Sequence, residues 1–163
     1  TEFAGGIGEA GVENLKKFVE RGGKLVCFDD SCELAIKRFA LPLRNALTGL
    51  KRNEFYNPGS IVKLKVDTRH PYAKGMLEET PAYFISSSAF EIAADARVSR
   101  IASYSEKDAL MSGWMLGEKY LNGKTALASV TYGKGEIVLF AFRPQHRGQT
   151  FATLPLIFNV LEK

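Results

Sequence analysis

The sequence contains few of the residues from which metal and thiol sites are built. Its 163 residues include two histidines, His70 and His146, and two cysteines, Cys27 and Cys32. A catalytic zinc ion needs two or three histidine or carboxylate ligands beside an open position. Neither histidine stands in an H-E-x-x-H or H-x-x-E pattern. The sequence therefore predicts no metal ligands and no cofactor in this chain, and His70 is interpreted as a loop residue.

Long apolar runs and clusters of one charge are also missing. No stretch approaches the ~20 consecutive apolar residues of a transmembrane helix, so we expect no membrane span. The net charge is +4. The lysines and arginines are interleaved with acidic residues and form no basic arm, so a nucleic-acid partner is not expected.

The clearest structural pattern lies in residues 11–36. Apolar residues recur there at helical spacing, at Val12, Leu15, Phe18 and Val19. Gly22 and Gly23 follow where a helix would end in a left-handed conformation. Residues 25–28 are then apolar without alternation, which is typical of a strand covered on both faces in a parallel sheet. This order of elements predicts an α/β fold with a mainly parallel sheet.

The rest of the chain predicts further strands and one more helix. Alternating or β-prone segments mark strands at residues 61–67, 83–85, 98–104, 124–131 and 136–142, with a loop at 108–114. The turn 132–135 contains two glycines, so the last two strands should form an antiparallel hairpin. A final helix should end near Leu161, and residues 1–8 should form a loop.

Polar residues follow the first and last apolar strands of this prediction. They are Asp29 and Asp30 after the first strand, and Arg143, His146 and Arg147 after the last one. Ligands bind at the carboxyl ends of strands in open α/β sheets. These five residues are therefore candidates for binding a small anionic group. The alternative is a network of charges that joins the two turns without binding anything.

Cys32 also follows a strand, which makes it a candidate nucleophile. A nucleophile at a strand-to-helix turn is usually flanked by glycines, and Cys32 has no glycine on either side. The nearby acidic residues favour the protonated thiol. We therefore expect no catalytic residue, with a Cys32/His146 pair as the alternative if the fold brings them together. A disulfide between Cys27 and Cys32 stays open at this point.

Four segments read together resemble a known family. They are GGIGEAGVENLKKFVERGGKLVCFD, FYNPGSIVKLKVDTRHPYAKGM, SGWMLGEKYLNGKTALASV and GKGEIVLFAFRPQHRGQTFATLPLIFNVL. In order and spacing they resemble the carboxyl-terminal domain of bacterial zinc carboxypeptidases of the carboxypeptidase A-like class. That resemblance implies a class I glutamine amidotransferase-like, flavodoxin-like three-layer sandwich. It covers residues 1–163 as a single domain, which would lack its first strands and the upstream peptidase domain.

The same resemblance implies a function without catalysis in this chain. We expect a structural or ligand-binding accessory domain of a secreted or periplasmic zinc carboxypeptidase, with the zinc held in the parent's peptidase domain. Its partners would be that peptidase domain and a small anionic ligand or a component of the cell envelope. An exposed sheet edge could also drive homo-oligomer formation. The alternative function is a divergent amidotransferase-like hydrolase that uses Cys32 and His146.

Overall fold

The structure is a computed structural model that describes residues 6–162. Most of the loop predicted for residues 1–8 lies outside this range, and the first helix begins at Gly8. The elements in chain order are α1 (Gly8–Glu20), β1 (Lys24–Phe28), α2 (Ser31–Arg38), β2 (Leu43–Asn45), β3 (Ser60–Val66), β4 (Glu79–Phe84), β5 (Phe90–Ile92), β6 (Val98–Tyr104), β7 (Leu110–Gly113), β8 (Thr125–Tyr132), β9 (Gly135–Phe140) and α3 (Leu154–Leu161).

The nine strands form one mixed sheet. Its main path runs β1-β9-β8-β6-β3-β4, while β2, β5 and β7 attach beside it. Of the eight strand pairings in residues 6–162, only β1 with β9 is parallel. The fold class is thus α/β, but the prediction of a mainly parallel sheet is wrong. Along the path from β9 to β4, every strand runs opposite to its neighbour.

Strand β1 behaves as its unbroken apolar run predicts. Cys27 packs on one face of the sheet, in the cluster that contains Val19 of α1 and Ile36 of α2. Val26 and Phe28 pack against the other face, whose cluster includes Leu156 and Val160 of α3. Helices therefore cover both faces of this parallel pair, which is why no polar residue alternates along β1.

The turn between α1 and β1 explains its two glycines. Gly22 has a φ of 110°, a conformation that glycine adopts without steric cost. A Cβ atom on Gly23 would lie 2.5 Å from the ring of Phe18. The helical spacing predicts that Phe18 faces the core with Val19, but Phe18 stays 52% exposed and covers Gly23 instead.

The predicted hairpin and strand β6 are confirmed, whereas three short strands were missed. β8 and β9 pair antiparallel around residues 132–135, and β6 has the predicted bounds. The predicted loop at residues 108–114 instead contains β7, which pairs with β3. β2 and β5 pair with each other over three residues each, too few for a periodic pattern to reveal.

Candidate functional site

The two polar turns meet at one edge of the sheet, namely the edge where β1 and β9 reach their carboxyl ends. β1 and β9 are parallel neighbours, so the residues that follow them lie side by side. Along the antiparallel path, β6 is the second strand from β9, and β4 is the second strand from β6. Both strands therefore run in the same direction as β9, and their carboxyl ends lie at the same edge. The loop of residues 86–88, which follows β4, also reaches this edge, where Ser88 donates its backbone N–H to the carbonyl of Ala141 at 2.7 Å.

Asp29 occupies the sharp turn between β1 and α2. Its φ is 51°, a left-handed conformation that aspartate tolerates better than most residues. Its backbone N–H donates to the carbonyl of Phe140 in β9 at 2.8 Å, which fixes the turn against the sheet. The strained position at this strand-to-helix turn therefore holds Asp29, and Cys32 lies three residues later inside α2.

An ion pair joins the two turns. The Nε–H of Arg143 donates to Oδ2 of Asp29, whose side chain is almost completely buried. Within residues 6–162, the other carboxylate oxygen of Asp29, Oδ1, is buried and has no hydrogen-bond partner. Burial raises the pKa of Asp29, and the nearby Arg143 guanidinium only partly offsets this increase. The arrangement holds a carboxylate in place and leaves it little access to solvent.

The other candidates of the predicted anion site lie outside this ion pair. Asp30 is exposed at the start of α2 and makes no side-chain cap there. Arg147 is exposed in the short helical turn His146–Gly148, with a φ of 49°. The ring of His146 stacks on Tyr83 of β4, with centroids 4.9 Å apart and planes 21° apart. The structure thus brings Asp29 and Arg143 together and gives His146 a separate contact.

Cys32 has the properties of a core residue. Its side chain is fully buried, and its Sγ donates to the carbonyl of Phe140 at 3.2 Å. Burial raises the pKa of the Cys32 thiol, and the negative charge of Asp29 adds to the increase, so little thiolate forms. Cys27 and Cys32 are both free thiols, and no disulfide joins them. Cys32 and His146 therefore make different contacts, Cys32 with the carbonyl of Phe140 and His146 with the ring of Tyr83.

No group of three potential metal ligands is found among residues 6–162. His70 accepts a hydrogen bond from the backbone N–H of Tyr72 through Nδ1, at 3.1 Å, and so caps a short helical turn. Within the same residues, no helix has the length and apolarity that crossing a bilayer requires.

Two neighbours of Asp29 were not foreseen from the sequence. The Ser87 hydroxyl lies close to the Asp29 carboxylate. Tyr104, fully buried at the end of β6, donates its hydroxyl to the carbonyl of Ser88 at 2.7 Å. The sequence signal for these neighbours is the run of three serines, Ser86 to Ser88, that follows a predicted strand. This signal becomes informative only when that strand is known to end at the same edge as β1 and β9.

Comparison with known proteins supports the fold. No protein-family model matches the sequence, and no curated protein matches it either. Among solved structures, a cytoplasmic protein of Salmonella typhimurium is 15% identical, with a TM-score of 0.59 over 93% of this chain and 58% of that protein. A GMP synthase-like protein of Thermoplasma acidophilum is 12% identical, with a TM-score of 0.58 over 93% of this chain and 63% of that protein.

A third match is a much larger protein. The β-galactosidase of Bacillus circulans is 14% identical, with a TM-score of 0.54 over 93% of this chain but only 20% of that enzyme. The chain thus spans between about one fifth and three fifths of the length of the structures it matches. These likenesses support an α/β fold that the chain shares with these structures.

Proposed function

We propose that this chain is a non-catalytic accessory domain of a secreted zinc carboxypeptidase. The observation that carries the proposal is the ion pair between Asp29 and Arg143. It occupies the strand-to-helix turn where enzymes of related architecture present a nucleophile. Here the turn presents a buried carboxylate already bound to a guanidinium, an arrangement suited to holding two turns together.

The proposal includes the finer fold and the identity of the parent. We infer a class I glutamine amidotransferase-like, flavodoxin-like three-layer sandwich that would position or stabilise the peptidase domain, which would hold the zinc. The resemblance of the four sequence segments supports this identity. The match to one fifth of a β-galactosidase supports it in a general way, because a fold of this kind forms a minor part of that larger hydrolase.

The alternative hydrolase, which would use Cys32 and His146, is less well supported by the geometry. A cysteine nucleophile needs a thiolate and a base within hydrogen-bond reach. The Cys32 thiol is buried against Phe140, and its pKa is raised. His146 is stacked on Tyr83. In a ligand-binding form of the main proposal, the domain would bind a small anion. Arg147, which is exposed near the same edge, would then contact the anion.

Two measurements test the proposed function. The purified chain should hydrolyse neither glutamine nor peptides above background, with or without added zinc. A hydrolysis rate that Cys32→Ala or His146→Ala abolishes would establish the alternative instead. The genomic reading frame upstream of Thr1 should encode H-x-x-E and a later histidine; a different enzyme in that frame would refute the carboxypeptidase assignment.

A further inference from the structure

A pocket of about 280 Å³ opens beside the edge that holds Asp29 and Arg143. Its wall comes from separate parts of the chain, and it includes Asn45, Phe55, Tyr56, Asn57, Ser86 and Ser87. Every lining side chain is neutral. The Ser87 hydroxyl lies close to Asp29, so the pocket adjoins the ion pair without including its charges.

The polar half of the pocket is partly fixed and partly unsatisfied. The side-chain carbonyl of Asn45 accepts from the backbone N–H groups of Leu47 and Ala89, at 3.1 and 3.2 Å. Asn57 accepts from Gly59 N–H at 2.8 Å, which orients its amide. Its Nδ2 is buried and has no acceptor within residues 6–162. Because Nδ2 is not accessible to solvent, a ligand acceptor reaches it only when the amide turns toward the pocket. The new hydrogen bond then removes the cost of an unpaired buried donor, about 1–3 kcal/mol.

Ser86 adds a strained residue to the same wall. It is exposed, and its φ of 49° lies in the left-handed region that serine rarely adopts. Such conformations cost about 1–3 kcal/mol and cluster at binding and catalytic sites. The strain places a hydroxyl-bearing residue at the mouth of a pocket whose other polar groups are amides and Ser87.

The other half of the pocket is aromatic. Phe55 packs edge-on against Phe84 at 6.0 Å. The ring of Tyr56 lies 5.8 Å from that of Trp114, which is 54% exposed, and the Arg52 guanidinium lies 4.2 Å from the Tyr56 ring centre. Aromatic faces carry partial negative charge and attract the weakly positive C–H groups of a ligand.

We propose that this pocket binds one ring of a neutral sugar, with its C–H face on the aromatic wall and its hydroxyls toward Asn57 and Ser86. None of the lining side chains offers a countercharge to a charged ligand, and the Arg52 guanidinium nearby already contacts the Tyr56 ring. The volume lies just below the ~300–1,000 Å³ of typical small-molecule sites, which suits a single ring. This inference goes beyond the accessory-domain proposal and does not depend on it, because the pocket belongs to this chain whatever the parent enzyme is.

The single tryptophan of the chain makes the test direct. Fluorescence of Trp114 is followed while glucose, galactose or N-acetylglucosamine, and then a disaccharide of each, is added to the purified chain. We expect a saturable change with at least one neutral sugar and none with glycerol or glucuronate. Monosaccharide binding as tight as that of the disaccharide would identify a free sugar as the ligand, and much tighter disaccharide binding would identify a glycan.

Two variants and one control locate the binding. Calorimetry should show at least tenfold weaker sugar binding for Tyr56→Ala, which removes part of the aromatic wall. Ser86→Gly should weaken binding while keeping or raising the melting temperature, because it removes both the hydroxyl and the strain. Phe151→Ala changes an exposed aromatic residue that does not line the pocket and should leave affinity unchanged. Absence of saturable binding by every sugar, binding that both pocket variants retain, or preferred binding of glucuronate would each overturn the proposal.

Discussion

At the scale of single residues, Asp29 combines a left-handed backbone, a buried carboxylate and one cationic partner. Removing one partner of a buried ion pair costs about 3–5 kcal/mol, because the remaining charge stays buried without compensation. Arg143 is about one third exposed, which places the expected loss at the low end. We predict that Arg143→Met lowers the free energy of unfolding by about 3 kcal/mol at pH 7, measured by urea denaturation.

The pH dependence of this loss follows from the pKa of Asp29. Burial already raises this pKa above its ordinary 3.8, and loss of the guanidinium raises it further. The folded protein then retains a proton that the unfolded chain releases, so stability falls as the pH rises above about 4. The cost of Arg143→Met should therefore shrink from pH 7 toward pH 4. Adding Asp29→Asn, which tolerates the same φ, should recover part of it; a small, pH-independent cost would contradict a stabilising role for the pair.

The two cysteines make a second prediction at this scale. Burial raises the pKa of Cys27 to about 11, partly offset by the Ser31 hydroxyl, and raises that of Cys32 further. Both should stay protonated and shielded at pH 8. We predict no alkylation of the native chain by iodoacetamide and modification of both thiols in urea, read by mass spectrometry. Rapid labelling of native Cys32 would revive the hydrolase alternative.

At the scale of elements, the hairpin of β8 and β9 depends on a close approach to α1. A Cβ atom on Gly135 would lie 2.2 Å from the carbonyl oxygens of Val19 and Gly23. These are backbone atoms, so one element must shift to make room. We predict that Gly135→Ala lowers the free energy of unfolding by about 1–3 kcal/mol, measured by thermal or urea denaturation.

A matched glycine separates this steric effect from backbone strain. Gly49 has a φ of 86° and open space around its Cα, so Gly49→Ala carries only the strain of a positive φ. We expect its loss to be the smaller of the two. Equal losses would mean that the contact of Gly135 with α1 contributes nothing of its own.

Element prediction succeeded where a long segment carries one regular pattern. The amphipathic α1, the apolar run of β1 and the glycine-containing turn before β9 are each read from neighbouring residues. The prediction missed β7 because Gly113 and the polar residues around 108–114 are typical of a loop. The segment becomes a strand through its pairing with β3, which the local sequence does not reveal. The site was partly accessible: Asp29 and Arg143 could be named, whereas Ser87 and Asn57 depend on contacts between distant loops.

At the scale of the whole molecule, the mixed sheet could not be read from β1 alone. The unbroken run of β1 reports burial on both faces, which is correct, but strand direction depends on the connections that follow. β3, with Lys63 and Lys65 alternating against buried residues, already carries the pattern of an antiparallel strand with one wetter face. That pattern predicts antiparallel pairing beyond the final hairpin.

The unpaired side of β1, the outermost strand of the main path, gives a prediction for the molecule as a whole. Within residues 6–162, β1 pairs only with β9. Successive backbone N–H groups point to opposite sides of a strand. Because the N–H of Asp29 faces β9, the N–H of Val26 points away from the sheet. The N–H and C=O of Phe28 also point away, but both are hydrogen-bonded to the Ser31 hydroxyl. We predict that the isolated chain self-associates through β1 at high concentration, measured by analytical ultracentrifugation.

A pair of substitutions at Val26 tests whether association uses the unpaired side of β1. Val26→Pro removes the outward N–H without removing a bond to β9, and it should reduce association. Val26→Ala loses the same packing but keeps the N–H, so it should associate like the unchanged chain. A chain that stays monomeric at every concentration, or a proline variant that associates equally well, would refute the prediction.

The parallel pairing of β1 with β9 has a consequence for synthesis. Lys24 aligns with Glu136, 112 positions later. At about 5–20 residues per second, the ribosome needs roughly 6–22 seconds to make that interval. During this time the strand that completes the ladder of β1 does not yet exist, so the apolar side chains of β1 stay unpaired and open to aggregation.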